Sequence, residues 1–274
     1  MQSGTIESFK FILQKSVEIN VITTGVPVDN YSALCHSFYT KNLLTAISID
    51  RIIHPSSTII KNHKLIEIDF YDPMSALTIV RSLFESYVNM YYLLVDNISE
   101  DEKLFKFLLW ERFWRSERKT MAELLKSQNI KLDKENQEIV EIEKELFSSK
   151  FYESLSIKLQ QFYVDRKNWT NLNFIDRAKR TNINSERVQY MYKYLSQYTH
   201  SNSFALMQFS SVDKNDGAIS GLNSIASCYT ELLLSLTLDI LSDYFEQVKK
   251  IIDGELSLGK TIIDWKQYVA KSRK

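Results

Sequence analysis

Arg81 and Glu85 stand one helical turn apart in a stretch that carries no other charge between Asp72 and Asp96. Read at 100° per residue, residues 74–95 gather Leu77, Val80, Leu83, Phe84, Tyr87, Val88 and Tyr91 on one wide arc. The opposite arc holds Thr78, Arg81, Ser82, Glu85, Asn89 and Tyr92. A surface helix shows water a face rich in lysine and glutamate. This stripe is too poor in charge for that, so the helix is expected to be central, with its stripe covered by protein. Two readings of the pair follow. In one, Arg81 binds an anion while Glu85 orients it or moves protons. In the other, the two form a structural ion pair that joins this helix to another. Support of the helix itself is a poor reason for the pair, because an exposed i,i+4 pair contributes only ~0.3–0.5 kcal/mol and the Arg-then-Glu order is the weaker one.

A second segment, residues 186–200, reads ERVQYMYKYLSQYTH. Val188, Met191, Leu195 and Tyr198 form its apolar face, and Tyr192, Ser196 and His200 follow at i, i+4 and i+8 along the edge. His200 falls where this helix should end. A protonated imidazole there gains about 0.3–1 kcal/mol from the helix dipole; alternatively it faces a ligand and does acid–base work. The expected ligand-binding set is Arg81, Glu85, Asn89, Tyr192, Ser196 and His200. If the protein is an enzyme, Arg81, Glu85 and His200 are the catalytic candidates.

Other chemistries find little support. His36, His54 and His63 lie on different elements, and no H-E-x-x-H or zinc-spaced cysteine pair occurs. No glycine-rich phosphate loop and no G-x-S-x-G elbow is present. No metal and no cofactor are expected. Asp239 and Asp243 share a helix face and read as partnered or solvated carboxylates. Trp110, Arg112, Trp114, Arg115, Arg118 and Lys119 interleave rings and cations, which would suit RNA, but Glu111, Glu117 and Glu123 dilute them, and a solvated face is the better reading. The run Arg166, Lys167, Trp169, Arg177, Lys179 and Arg180 is the more plausible anion-facing segment.

The elements that must position these groups are long. Among 274 residues there are only 6 glycines and 3 prolines, too few turn formers for a sandwich or barrel. Lys+Arg and Asp+Glu balance at 34 each, so no global field draws the chain to nucleic acid or to an anionic membrane. Cys35 and Cys228 form no spacing motif, which fits a reduced, cytoplasmic setting. Residues 229–245 are apolar but interrupted by Glu231, Asp239 and Asp243, and read as a buried core helix rather than a membrane span. The pattern predicts an all-α bundle of about seven or eight helices, with a short β-hairpin near residues 57–70. Residues 1–54 should form a helical pair packed on a main bundle of residues 72–252, followed by an amphipathic tail over 253–274. Asn30, Asp72, Ser99, Asp133 and Ser185 are the expected helix caps. One helix is expected from Asp133 through Leu146, with Gln161 as its furthest bound, and one from Ala218 to about Ile252. The helix over 73–95 should pack on those over 185–200 and 218–252.

The segments SALTIVRSLFESYVNMYYLL (75–94) and YKYLSQYTH (192–200), with Trp169 and the arginine-rich stretch between them, resemble a bacterial all-helical family labelled only as a domain of unknown function. Its marks are an Arg-Ser-x-x-Glu helix and a later Leu-Ser-x-Tyr-x-His segment, matched here by Arg81, Glu85 and His200. The resemblance spans about residues 71–241 and implies no activity. Such proteins also look distantly similar to the HEPN helical bundles of toxin and phage-defence ribonucleases. The HEPN nuclease motif is Arg, four to six intervening residues, then His on one helix, and this chain departs from it. Three functions follow as expectations: a binding or regulatory protein of stress or phage defence with a polar pocket; a divergent HEPN-like ribonuclease using Arg81 and His200; or a protein-interaction module, with a partner protein or a second copy as ligand.

Overall fold

The computed structural model describes residues 3–53, 57–61, 64–68, 72–125, 131–165, 168–200, 202–212 and 216–271. His54, His63, Arg166 and Lys167 therefore lie outside the described residues. The protein is all-helical in its body. Thirteen helices form among the described residues, where the pattern suggested seven or eight. A two-stranded antiparallel hairpin, β1 (Ser57–Lys61) and β2 (Lys64–Ile68), follows the first two helices and pairs Ser57 with Ile68 and Lys61 with Lys64.

The extra helices come from breaks that polar caps and core side chains impose. The segment after α4 (Glu100–Leu124) is not one helix to Gln161. It is α5 (Lys131–Phe147), α6 (Lys150–Ser154) and α7 (Ile157–Asp165). Ser149 ends the first of these by taking an extended backbone and accepting from the amide of Tyr152, so a new helix starts there. The long C-terminal helix stops at α11 (Asp216–Tyr244) and restarts as α12 (Glu246–Gly254). Phe245 between them is extended and buried, with its ring 5.9 Å from that of His36; a core anchor interrupts the helix. The tail is α13 (Leu256–Ala270), which is packed rather than loose.

Caps also differ in detail. Asp72 accepts from the amide of Ser75 at 3.0 Å and starts α3 (Pro73–Leu94), and Ser99 accepts from that of Glu102 at 3.2 Å and starts α4. The cap of α2 (Asn30–Ile53) is Asp29 rather than Asn30, since its carboxylate accepts from Tyr31 and Ser32. Asn184, one residue before the expected Ser185, caps α9 (Ser185–Thr199). Asp133 lies inside the first turn of α5, where a carboxylate still complements the helix dipole.

The chain divides into two compact units, residues 1–92 with 177–274, and residues 93–176. In the first, α11 is the central helix. It packs on α2, α13, α12 and α1 (Ile6–Thr23), and α10 (Ser203–Val212) touches both it and α9. Its window Ile219–Tyr244 is long and apolar enough to cross a bilayer, with mean hydropathy 1.3, yet 72% of it is buried within the protein. A core helix passes the same test. Some of its polar groups are met from neighbouring helices: Asn42 of α2 donates to Thr237, and Lys266 of α13 pairs with Asp239.

The tightest of these links is at Glu231, which is fully buried. Its Oε2 accepts from the Ser8 hydroxyl at 2.6 Å and from the Gly4 amide at 3.1 Å, and its Oε1 accepts from the Trp265 indole at 2.9 Å. One carboxyl thus fastens the start of α1 and the middle of α13 to α11. Burial raises its pKa above the ordinary value, against the lowering effect of Ser8, Trp265 and Gly4. The neutral acid is accommodated too: Ser8 Oγ also lies 2.9 Å from the Thr5 carbonyl, so it can donate there while accepting the acid proton.

The second unit packs α4, α5 and α6 around Phe105, Leu108, Leu109, Ile142, Leu146 and Tyr163, with Trp169 and Phe151 against them. Buried Arg112 on α4 donates to Glu143 at 2.8 Å and to the Tyr163 carbonyl at 2.7 Å. Arg115 pairs with Glu111 and Glu138, and Arg118 with Glu135. The arginines of the ring-and-cation run on α4 are therefore engaged by carboxylates, mostly from α5.

Two outcomes are expected at Glu231. Replacement by alanine leaves the buried Trp265 indole and the part-buried Gly4 amide without their acceptor and should lower stability by about 2 kcal/mol or more, at ~1–3 kcal/mol per orphaned group. Replacement by glutamine should remove a pH dependence. The folded pKa is raised above 4.5, so the native state holds this proton more tightly. That contribution is complete below the unfolded value and is lost as pH rises through the folded one. Urea unfolding across the acidic to neutral range should show the wild type losing stability relative to Glu231→Gln as pH rises; parallel curves would refute the assignment.

Candidate functional site

Most of α3 is core. Leu77, Val80, Leu83, Phe84, Tyr87, Val88 and Met90 have no exposed surface. The helix therefore sits where the pattern placed it, and Arg81, Glu85 and Asn89 run along its edge at i, i+4 and i+8. The edge is only half covered. The Arg81 side chain is 9% exposed and that of Glu85 50%, so the arginine is held out of water and its carboxylate partner is not. Arg81 Nη2 lies 2.8 Å from Glu85 Oε1. On its other side the guanidinium stacks over the Tyr192 ring of α9, 4.6 Å from the centroid. Three of the expected residues thus meet in space.

Asn89, one turn beyond Glu85, is half-buried, and its carboxamide oxygen has no hydrogen-bond partner among the described residues. Ser196 is half-buried one turn beyond Tyr192. His200 does not join the group. It is exposed at the C-cap of α9, eight residues past Tyr192, which at ~1.5 Å per residue is about 12 Å along the helix axis. Helical periodicity puts the imidazole on the edge that carries Tyr192, and the rise sets it apart from that ring along α9.

Two arginines supply what the imidazole does not. Arg177 lies at the end of α8 (Phe174–Ala178), near Tyr92 and within electrostatic reach of the Glu85 carboxylate. Burial lowers its pKa, while Tyr92 and Glu85 raise it. Arg180, just after that helix and exposed, stacks 5.7 Å from the Tyr92 ring. Tyr92 lies seven residues after Glu85, on the same face of α3. The turn carrying these arginines is fixed to α3 by Tyr87, whose hydroxyl donates to Asn182 Oδ1 at 2.6 Å. It is fixed to α13 by the Asn184 amide, which donates to the Val269 carbonyl at 2.9 Å. Both arginines belong to the basic run seen in sequence. The missed signal was that an α3 stripe nearly free of lysine faces a segment rich in arginine.

Among the described residues no group of three His, Cys, Asp or Glu side chains is placed to hold a metal ion. Burial pushes the Cys228 thiol up to about 11, with Glu231 adding to it, and pushes Cys35 up further; neither is a thiolate near neutral pH.

Residues 33–218 match a family described as a family of unknown function (DUF5677), and the chain belongs to that family. The matched region contains Arg81, Glu85, Arg177, Arg180, Tyr192 and His200, and ends two residues into α11. Comparison with curated proteins and with solved structures gives no significant match. The similarity to HEPN bundles thus rests on the sequence pattern alone.

The geometry ranks the two contacts of Arg81. Its ion pair is half in water and should contribute less than about 0.5 kcal/mol, whereas a largely desolvated cation–π contact contributes ~1–2 kcal/mol. Double-mutant cycles on unfolding, using Arg81→Met with Tyr192→Leu and with Glu85→Gln, should return the larger coupling for the tyrosine. The reverse order would contradict the observed burial.

Proposed function

We propose that this protein binds an anionic, phosphate-type group at the arginine edge formed by Arg81, Arg177 and Arg180. The observation that carries this reading is the gathering of three guanidinium groups along one edge of α3: Arg81 stacked on Tyr192 and paired with half-exposed Glu85, Arg177 within electrostatic reach of Glu85, and Arg180 stacked on Tyr92. A planar guanidinium matches a phosphate in two-pronged fashion. Arg81, stacked on Tyr192, is oriented in advance, which lowers the entropy lost on binding. Glu85 holds Arg81 in place and competes with the incoming anion. Asn89 and Ser196 offer neutral polar groups beside the charged centre. The wider reading as a binding or regulatory protein, in the stress or phage-defence setting that the HEPN likeness suggests, builds on this site.

A ribonuclease needs an acid–base group at the scissile phosphate, and His200 lies a helix segment away from the arginines, so the binding reading is preferred. An interaction module would use Arg81 as structure only, and does not account for Arg177 and Arg180 gathering at the same edge.

Fluorescence anisotropy with a labelled single-stranded RNA, and calorimetry with inorganic pyrophosphate, test the proposal. Arg180→Ala is the clean variant because the side chain is exposed. It should weaken both probes about tenfold, in keeping with ~1.5–3 kcal/mol for a charge-assisted contact. Glu85→Gln should tighten them, and His200→Ala should leave them unchanged. The RNA should remain full length on a gel. Failure of both probes to bind, or an unchanged affinity in Arg180→Ala, would overturn the reading; RNA cleavage abolished by His200→Ala would replace it with the nuclease.

A further inference from the structure

The C-terminal part of α11, with α12 and α13, encloses a groove of about 530 Å³. That falls within the ~300–1,000 Å³ range of small-molecule sites. The groove shares no residue with the arginine edge and lies beyond the family match at 33–218.

Its walls carry both signs of charge. Asp239 and Asp243 stand one turn apart on α11, with Lys249 and Asp253 on α12 and Lys260 and Lys266 on α13. Lys266 Nζ lies 2.9 Å from Asp239 Oδ1. Besides that pair, two carboxylates and two ammonium groups line the space. Asp243 is faced by Lys266 and Lys249, and by Asp239 of its own helix. Burial first, and then repulsion from Asp239, raise its carboxyl above the usual range. A cation between the two aspartates would relieve that repulsion.

The rest of the groove is aliphatic. Ile252, Leu256, Ile262 and Ile263 line it, and Leu256 is 86% exposed. Gly259 sits at the corner where α13 meets α12. A Cβ there would lie 3.0 Å from the Ile252 carbonyl oxygen, so backbone packs on backbone and sets the groove's shape.

A ligand of net charge would leave one sign of the wall in excess. A net-neutral ligand with separated charges and an aliphatic body matches both walls and floor. We propose that this groove binds a short apolar peptide with free termini. Its ammonium lies between Asp239 and Asp243, its carboxylate reaches Lys249 and Lys260, and its side chains rest on Ile252 and Ile262.

Calorimetry on the full chain with trileucine tests this, against N-acetyl-trileucine, trileucine amide and hexylamine. Trileucine should bind, and capping either end should weaken it about tenfold, the equivalent of ~1.4 kcal/mol. Asp243→Asn should weaken trileucine to a similar degree while leaving the N-acetyl peptide unaffected. Lys249→Ala should do the same with respect to the amide. Both side chains are exposed, and unchanged thermal midpoints will show that the variants fold. No heat with trileucine at millimolar concentration would overturn the proposal. So would equal binding of the capped peptides, or hexylamine binding as tightly as trileucine.

Discussion

A carboxyl buried without a cationic partner is costly unless donors surround it, and Glu231 meets that condition only because three separate parts of the chain arrive at it. Ser8, the Gly4 amide and the Trp265 indole come from the start of α1 and from α13. Each donor is useful only when the others are in place. The interaction therefore ties together segments more than two hundred residues apart in sequence, and it makes the first unit cooperative in a way that apolar packing, tolerant of small shifts, does not. The groove between α11 and α13 and the position of α9 against α13 depend on this fastening.

The arginine edge uses the opposite strategy. Arg81 is held out of water, yet its partner is left half in it, so the pair does little for stability and keeps a charged group poised at the boundary between core and solvent. Tyr192 and Tyr92 give two of the guanidinium groups a ring face to lie on. Planar cations fixed in this way suit recognition better than flexible lysines. In the second unit the arginines are spent otherwise. Arg112, Arg115 and Arg118 are matched by carboxylates, so the ring-and-cation run of α4 serves to join α4 to α5.

The all-helical class and the burial of the apolar arc of α3 could be read from residue spacing, because apolar periodicity reports which face is buried. The thirteen-helix count could not. It depends on breaks such as Phe245, whose side chain is drawn into the core against His36, and Ser149, which competes for a backbone amide; both are tertiary or cap choices within otherwise helical patterns. His200 shares an edge with Tyr192 but not its height. Spacing along one helix fixes angle but also adds height, and eight residues of rise cannot be seen on a wheel. Glu231 was noticed only as an interruption in an apolar run. Its partners lie at both ends of the chain, and no local pattern announces them.

The family match covers residues 33–218 and stops just inside α11. Yet α11 is the element on which α2 rests, and α1 and α13 complete its surround. Cutting the chain to the matched region would remove α1 and most of α11, the two helices on which α2 packs, and so open the core around Cys35, Leu43, Ala46 and Ile49. The matched stretch is thus a shared portion of a larger folding unit. In this chain the central helix of that unit comes almost wholly from residues beyond 218.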